Sequence, residues 1–252
     1  MRKVRAMVRL VAVCLMTAVL LAPRFAAMTL APVAPRLERR IRRRLVMTWG
    51  RLLLAIIRAR IRVVGTPPPR PFFLVSNHVS YVDTFLLSAL TGGVIVARED
   101  IQRWPGGGIV ARAGNTLFID RGDIRDVHRV NTLIRRELDL GSGVILFPEA
   151  GTSPGQTVRP FKTALLEPAV ALGAPVHFCT IHYETPPGEP APTESVTWHT
   201  DIRFMAHAMR LLRLPRFTAT VTFGPAPRSG TDRKQLAREL HAALLSQFTP
   251  IR

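Results

Sequence analysis

The chain has 252 residues, 47% of them hydrophobic and 21% charged, which is enough apolar side chain for one α/β domain with a sizeable core and too short for two large ones. Its 35 Lys and Arg against 17 Asp and Glu give a net charge of +18, and the same composition excludes disordered, collagen-like and low-complexity classes. Two cysteines, Cys14 and Cys179, are too few and too far apart for a small disulfide-stapled module, so a reducing compartment is expected.

The charge is concentrated at the start. Residues 1–70 hold 16 of the Lys and Arg and a single acid, Glu38. Within that lobe residues 10–23 are uncharged, a run of 14 that falls short of the ~20 needed to span a bilayer as a helix. Arg2, Lys3, Arg5 and Arg9 ahead of it also fit the start of a cleaved signal peptide. The arginine-rich chain downstream argues instead for retention on the cytoplasmic side. The expectation is an uncleaved anchor, with residues 7–35 shallowly inserted or re-entrant and 39–60 forming an amphipathic interfacial helix whose arginines meet phosphate headgroups. Residues 1–60 are thus read as a membrane-anchoring segment and 61–252 as the folded domain. The basic residues are interleaved with aliphatic rather than aromatic side chains, so the expected partner is an anionic membrane and not nucleic acid.

From residue 61 short aliphatic runs alternate with helical stretches. Strands are expected over 61–64, 72–76, 94–97, 116–120, 144–147, 176–183 and 217–223. Helices are expected over 84–90, 99–110 (broken by Pro105 and the glycines at 106–108), 124–140, 162–172 and 232–248, the last opened by Asp232 and Gln235 as a capping box. Pro-rich 66–71 and 186–192 read as loops. Alternation of this kind predicts an α/β fold: a mixed, mostly parallel sheet covered by helices, with an N-terminal membrane-associated helical segment.

In open α/β sheets chemistry gathers at the carboxyl ends of strands. The first such end reads Ser76-Asn77-His78-Val79-Ser80-Tyr81-Val82-Asp83. On one helix, residues five apart lie about 140° apart. His78 and Asp83 therefore meet only if His78 lies in the loop leaving the strand and Asp83 opens the next helix. Such a pair is an imidazole base oriented by a carboxylate. The second end, Phe118-Ile119-Asp120-Arg121, presents an arginine suited to a phosphate, or equally to pairing with Asp120, Asp123 or Asp126. The third, Phe147-Pro148-Glu149-Ala150-Gly151-Thr152-Ser153, runs from a buried strand into a carboxylate, a glycine and hydroxyls. It could orient a substrate hydroxyl and admit a phosphate or oxyanion, or simply form a tight turn capped by Thr152.

Taken together and in this order, the three segments resemble the glycerolipid acyltransferase family typified by 1-acyl-sn-glycerol-3-phosphate acyltransferases (PlsC-type). Residues 77–83 resemble its NHxSxxD motif, 118–121 its second block and 147–149 the start of its FPEGTRS block. Gly173-Ala174-Pro175-Val176 resembles the fourth, and the likeness covers about residues 45–225. The resemblance implies transfer of a fatty acyl group from acyl-CoA or acyl-carrier protein to the free hydroxyl of a lysolipid at the cytoplasmic face of a bacterial inner membrane. The first acceptor it suggests is 1-acyl-sn-glycerol-3-phosphate, giving phosphatidic acid. No metal and no cofactor beyond the thioester co-substrate is implied. By the same resemblance His78 is the general base and Asp83 its partner, while Asn77, Arg121, Glu149, Gly151, Thr152 and Ser153 contact substrate.

One departure stands out. Where the family has Gly-Thr-Arg after the glutamate, this chain has Ala150-Gly151-Thr152, so the usual arginine is missing. Either Arg121, Arg159 or Lys162 supplies the charge, or the acceptor depends less on phosphate. Thr152, Ser153, Pro160, Phe161 and Lys162 resemble bacterial members that include lyso-ornithine-lipid acyltransferases, which leaves the acceptor open. A non-catalytic membrane scaffold on the same fold is the alternative. The other histidines are expected in solvated or core roles, Ser80 as a helix cap, and Trp104 with Pro105 along an acyl channel or a membrane-facing loop. No Gly-Lys-Ser/Thr follows the glycines at 106–108, so a nucleotide P-loop is not expected.

Overall fold

The computed structural model describes every residue except 105, 106, 121, 200 and 201; the expected contacts Arg121 and Pro105 lie outside the described residues. Two long helices come first, α1 (Arg2–Met28) and α2 (Pro35–Ile56), with proline at the start of α2 where its missing N–H is harmless. They run antiparallel, since Trp49 Nε1 donates to Thr17 Oγ1 (3.0 Å) and Arg24 pairs with Glu38 (2.9 Å). α1 is longer than the uncharged run suggested, and by length and composition it could cross a membrane.

It continues through its arginines because several are held by protein. Arg9 donates to the carbonyls of Leu212, Leu214 and Pro215, and Arg24 Nε donates to Ala113 O at 2.5 Å while its guanidinium meets Glu38. Arg42 pairs with Glu137 at 3.2 Å. Arg9, Arg24 and Arg42 are all buried, so of the arginines at 39–60 expected to meet headgroups, Arg42 is turned to protein instead. Removing Glu38 would strand a buried guanidinium, a loss of about 3–5 kcal/mol. The outer face of α1 is different: Val4, Val8, Val11, Leu15 and Val19 are exposed.

The domain behind this hairpin is a seven-stranded sheet of β1 (Ala59–Val64), β2 (Phe72–Ser76), β3 (Val94–Arg98), β4 (Leu117–Ile119), β5 (Gly143–Leu146), β6 (Val176–Glu184) and β7 (Phe217–Phe223). Its order is β1-β7-β6-β2-β5-β3-β4, and only the β6–β7 pair is antiparallel. The intervening helices are α3 (Val82–Thr91), α4 (Gly107–Ala113), α5 (Ile124–Asp139), α6 (Glu167–Ala171), α7 (Pro192–Ser195), α8 (Phe204–Arg213) and α9 (Arg233–Leu245). A mostly parallel sheet is covered on both faces, so its central strands read as continuous apolar runs. In β2, Phe72 and Leu74 join the core beneath α3 and α8, while Phe73 and Val75 join the one beneath α5 and α9. Each such side chain, fully buried, contributes about 1.5–3 kcal/mol.

Expected elements that changed have local reasons. The helix at 162–172 divides into a 3-10 turn, Thr163–Leu166, and α6, with Pro168 at the start of the latter. The segment at 99–110 is a 3-10 turn, Glu99–Arg103, followed by α4. Asp232 does cap α9, accepting from Gln235 N at 2.6 Å. Helices α7 and α8 were not anticipated. α2 packs on α3 so closely that a Cβ on Gly50 would come within 3.0 Å of Ala89 and Phe85.

Candidate active site

β2 lies between β5 and β6, and its carboxyl end at Ser76 opens onto a short loop before α3. His78 is in that loop and Asp83 in the first turn of the helix, the one arrangement in which residues five apart meet. His78 Nδ1 and Asp83 Oδ2 are 2.8 Å apart. Asp83 is fully buried, and Oδ2 also accepts from Val79 N (2.7 Å) and Ser80 N (2.9 Å). It reaches back to the amides ahead of the helix as the acid of a capping box does, at the positive end of the helix dipole. Its other oxygen accepts from Tyr183 OH at 2.7 Å. Four donors on one carboxylate leave it no freedom to turn. With Asp83 as acceptor, the proton is assigned to Nδ1 and the Nε2 lone pair stays available. The ring stacks on Phe147 with centroids 4.0 Å apart, and its side chain keeps 16% exposure.

Glu149, expected to contact substrate, spends both carboxylate oxygens on main-chain amides. Its side chain is wholly covered; Oε1 accepts from His78 N (2.8 Å) and Oε2 from Arg159 N (2.9 Å). It staples the His78 loop to the third block. Burial pushes its carboxyl above the ordinary value, against the pull of the two amides and Arg159. Asn77 is likewise turned inward: at 1% exposure, its amide exchanges two hydrogen bonds with the backbone of Ile181 (3.0 and 2.7 Å) and ties β2's exit to β6. Neither residue presents a free polar atom to a substrate.

The third block wraps against His78 through Ser153 N, which donates to His78 O at 2.9 Å, while the buried Ser153 Oγ has no partner among the described residues. Ala150 has φ 65°, a left-handed conformation that suits the family's glycine and costs an alanine about 1 kcal/mol. Gly151 and Thr152 are half-buried, and their carbonyls accept from Arg159 Nη2 at 2.6 and 2.8 Å. Of the two described cations named for the missing arginine, Arg159 is therefore the one clasped by this loop. Lys162 is exposed and, among the described residues, bonds the block through its backbone N, to Pro148 O at 2.8 Å.

Tyr183, Trp198 and Val196 were missed from sequence. Tyr183 carried no signal beyond being an aromatic residue in a buried strand. Trp198 N donates to Val79 O (2.8 Å), and Ser80 Oγ, besides accepting from Val82 N (3.3 Å), donates to Val196 O (2.7 Å). Trp198 also packs with Trp104, Phe204 and Tyr81, ring centroids 5.0–6.2 Å apart, in an aromatic cluster beside the loop. His207 on α8, fully buried, meets Tyr81 OH through Nδ1 at 3.1 Å, and burial lowers its pKa to about 4.

Comparison with known proteins bears on this arrangement. A model of the acyltransferase family matches residues 60–182. The lyso-ornithine lipid O-acyltransferase of Pseudomonas aeruginosa is 32% identical over 81% of this chain and 78% of its own. The 1-acyl-sn-glycerol-3-phosphate acyltransferase of Neisseria meningitidis is 31% identical over 72% of this chain and 71% of its own. Among solved structures, the 1-acyl-sn-glycerophosphate acyltransferase PlsC from Thermotoga maritima has the same fold, with a TM-score of 0.71 over 98% of this chain and 95% of that one at 18% identity. With a sheet of this topology, the ordered blocks around His78 and Glu149, and relatives matched over most of their length, the chain belongs to the PlsC-type acyltransferase family.

Proposed function

We propose that the protein moves a fatty acyl group from acyl-CoA or acyl-carrier protein to the free hydroxyl of a lysolipid, with His78 as general base. The 2.8 Å contact between His78 Nδ1 and Asp83 Oδ2, at the carboxyl end of the central strand, carries this reading. An alcohol is a weak nucleophile at neutral pH. His78 Nε2 takes its proton as the oxygen attacks the thioester carbonyl, and Asp83 stabilises the imidazolium that forms. When the tetrahedral intermediate collapses the C–S bond breaks, the ester C–O bond remains, and His78 returns the proton to the thiolate. The products are a diacylated lipid and a free thiol.

The acceptor first in line is 1-acyl-sn-glycerol-3-phosphate. A lyso-ornithine lipid is the second reading, favoured by Thr152 where the family has arginine and by the relative of that specificity. Membrane attachment is supported by the exposed apolar face of α1, about 40 Å long at 1.5 Å per residue, lying along the domain. The test is acyl transfer by the full chain in bilayers, with acyl-CoA and acyl-carrier protein as donors and both lysolipids as acceptors, the products read by mass spectrometry. A diacylated product from either acceptor supports the proposal, and the product's mass names the acceptor. Transfer to neither, with either donor, removes it.

A further inference from the structure

If the chain acylates lysolipids as proposed, a reading on which this one rests, the lost arginine of the third block has to be replaced by some other device or abandoned. We infer that Arg159 is the replacement: its guanidinium receives the acidic group of the acceptor headgroup, so that the acceptor is a lysolipid whose headgroup bears a phosphate or a carboxylate.

The loop from Glu149 to Arg159 closes on itself. Arg159 N donates to Glu149 Oε2, Nε lies 3.6 Å from the same oxygen, and Nη2 spans the carbonyls of Gly151 and Thr152. Position 152 is the one at which the family's arginine would stand, so the chain has brought a guanidinium to that place from seven residues downstream. The other carboxylate oxygen of Glu149 holds His78 N. One buried carboxylate thus sets both the imidazole loop and the arginine, and the cation is placed relative to the base by two short bonds rather than by a flexible side chain alone.

The guanidinium is not used up by these contacts. Its side chain is 46% exposed, and among the described residues Nη1 donates to no acceptor. Glu149 is already satisfied by two backbone amides and is completely covered, so it neutralises Arg159 only in part. A planar cation with a fixed orientation and unspent donors matches a phosphate or carboxylate fork. A loop brace alone would need the same two carbonyl bonds but not the exposed second edge. Both candidate acceptors carry such a group, the phosphate of 1-acyl-sn-glycerol-3-phosphate and the carboxylate of a lyso-ornithine lipid; a monoacylglycerol carries none.

The experiment is steady-state transfer by the full chain in neutral detergent at saturating acyl donor. The acceptor is 1-acyl-sn-glycerol-3-phosphate or lyso-ornithine lipid, whichever the wild type uses, with monoacylglycerol as the uncharged control. The variants are Arg159→Gln, Arg159→Lys, and Thr152→Arg added to Arg159→Gln, each checked for folding by its thermal melt. Arg159→Gln is expected to raise KM for the acceptor bearing the phosphate or carboxylate about 10- to 100-fold, the worth of a charge-assisted hydrogen bond, with a much smaller change in kcat and a much smaller change in KM for monoacylglycerol. Arg159→Lys is intermediate. Thr152→Arg recovers most of the lost affinity. A fall in kcat at unchanged KM, or a raised KM that Thr152→Arg leaves uncorrected, assigns Arg159 to bracing the loop and overturns the inference. A wild type that acylates no lysolipid overturns the underlying reading instead, and the two failures cannot be confused.

Discussion

Replacing Asp83 by asparagine separates the structural task of this side chain from its electrostatic one. In the wild type Oδ2 faces three donors, Val79 N at 2.7 Å, His78 Nδ1 at 2.8 Å and Ser80 N at 2.9 Å, and Oδ1 accepts from Tyr183 OH at 2.7 Å. An asparagine that places its carbonyl oxygen where Oδ2 stood keeps all three donors satisfied. The Tyr183 hydroxyl then has only to turn and accept from the new amide. The geometry survives, and exchanging charge-assisted for neutral hydrogen bonds costs about 1–2 kcal/mol of stability. The chemistry does not survive equally well. When His78 takes the proton from the lysolipid hydroxyl it becomes an imidazolium, and in the variant no buried negative charge lies beside it. A loss of roughly 3–5 kcal/mol in transition-state stabilisation corresponds to a fall in kcat of about 10²- to 10⁴-fold, with acceptor and donor KM little affected. The assay is thiol release from acyl-CoA in the presence of lysolipid at saturating substrate, beside circular-dichroism melts of both proteins. A folded Asp83→Asn protein whose kcat stays within about threefold of wild type would refute the reasoning.

Three other outcomes are expected. Glu149→Gln cannot accept from both His78 N and Arg159 N, so the His78 loop loosens; kcat should fall about 10- to 100-fold, more than the acceptor KM changes, and a loss confined to KM would restore Glu149 to direct substrate contact. His207 is neutral in the fold with a pKa near 4, while an unfolded histidine titrates near 6.5, so between those values the unfolded chain binds more protons and stability falls as pH drops. Across that window the loss is roughly 2–3 kcal/mol, and denaturant unfolding at several pH values should show His207→Gln flattening the slope by that amount; an unaltered slope contradicts the assignment. Val11→Glu, Leu15→Glu and Val19→Glu together lie on the exposed face of α1, so the variant should melt like wild type yet fail to float with anionic vesicles, and unchanged flotation would remove this face as the membrane contact.

The parts of the fold legible from sequence are those written in local pattern. β2 and β7 begin and end where the apolar runs do, because a central parallel strand is buried on both faces and an antiparallel neighbour alternates cleanly. The His78–Asp83 contact was legible because the strand before it and the helix after it fix which conformation five intervening bonds adopt. α8 escaped notice since its first turn carries no capping side chain and its apolar positions are shared with His207, Arg210 and Arg213; packing against α1 stabilises it, with Arg5 and Arg9 of α1 holding its C-terminal carbonyls. The burial of Arg9 and Arg24 was hidden for a related reason. Their acceptors are Leu212, Leu214, Pro215, Glu38 and Ala113, most of them far away in the chain and most of them backbone carbonyls, which no residue pattern marks. The partners of Glu149 and Asn77 were hidden in the same way. Both spend their polar atoms on main-chain groups that only the folded chain brings near.

The central claim is that the imidazole of residue 78 removes the proton from the lipid hydroxyl. Its most direct measurement is single-turnover acyl transfer by His78→Ala, in the same bilayers and with the same acyl donor as the wild type. The side chain is only 16% exposed and stacks on Phe147, so a melt must first show the variant folded. The account predicts transfer at least about 10³-fold slower, with lysolipid binding retained. Transfer by folded His78→Ala at close to the wild-type rate would contradict it.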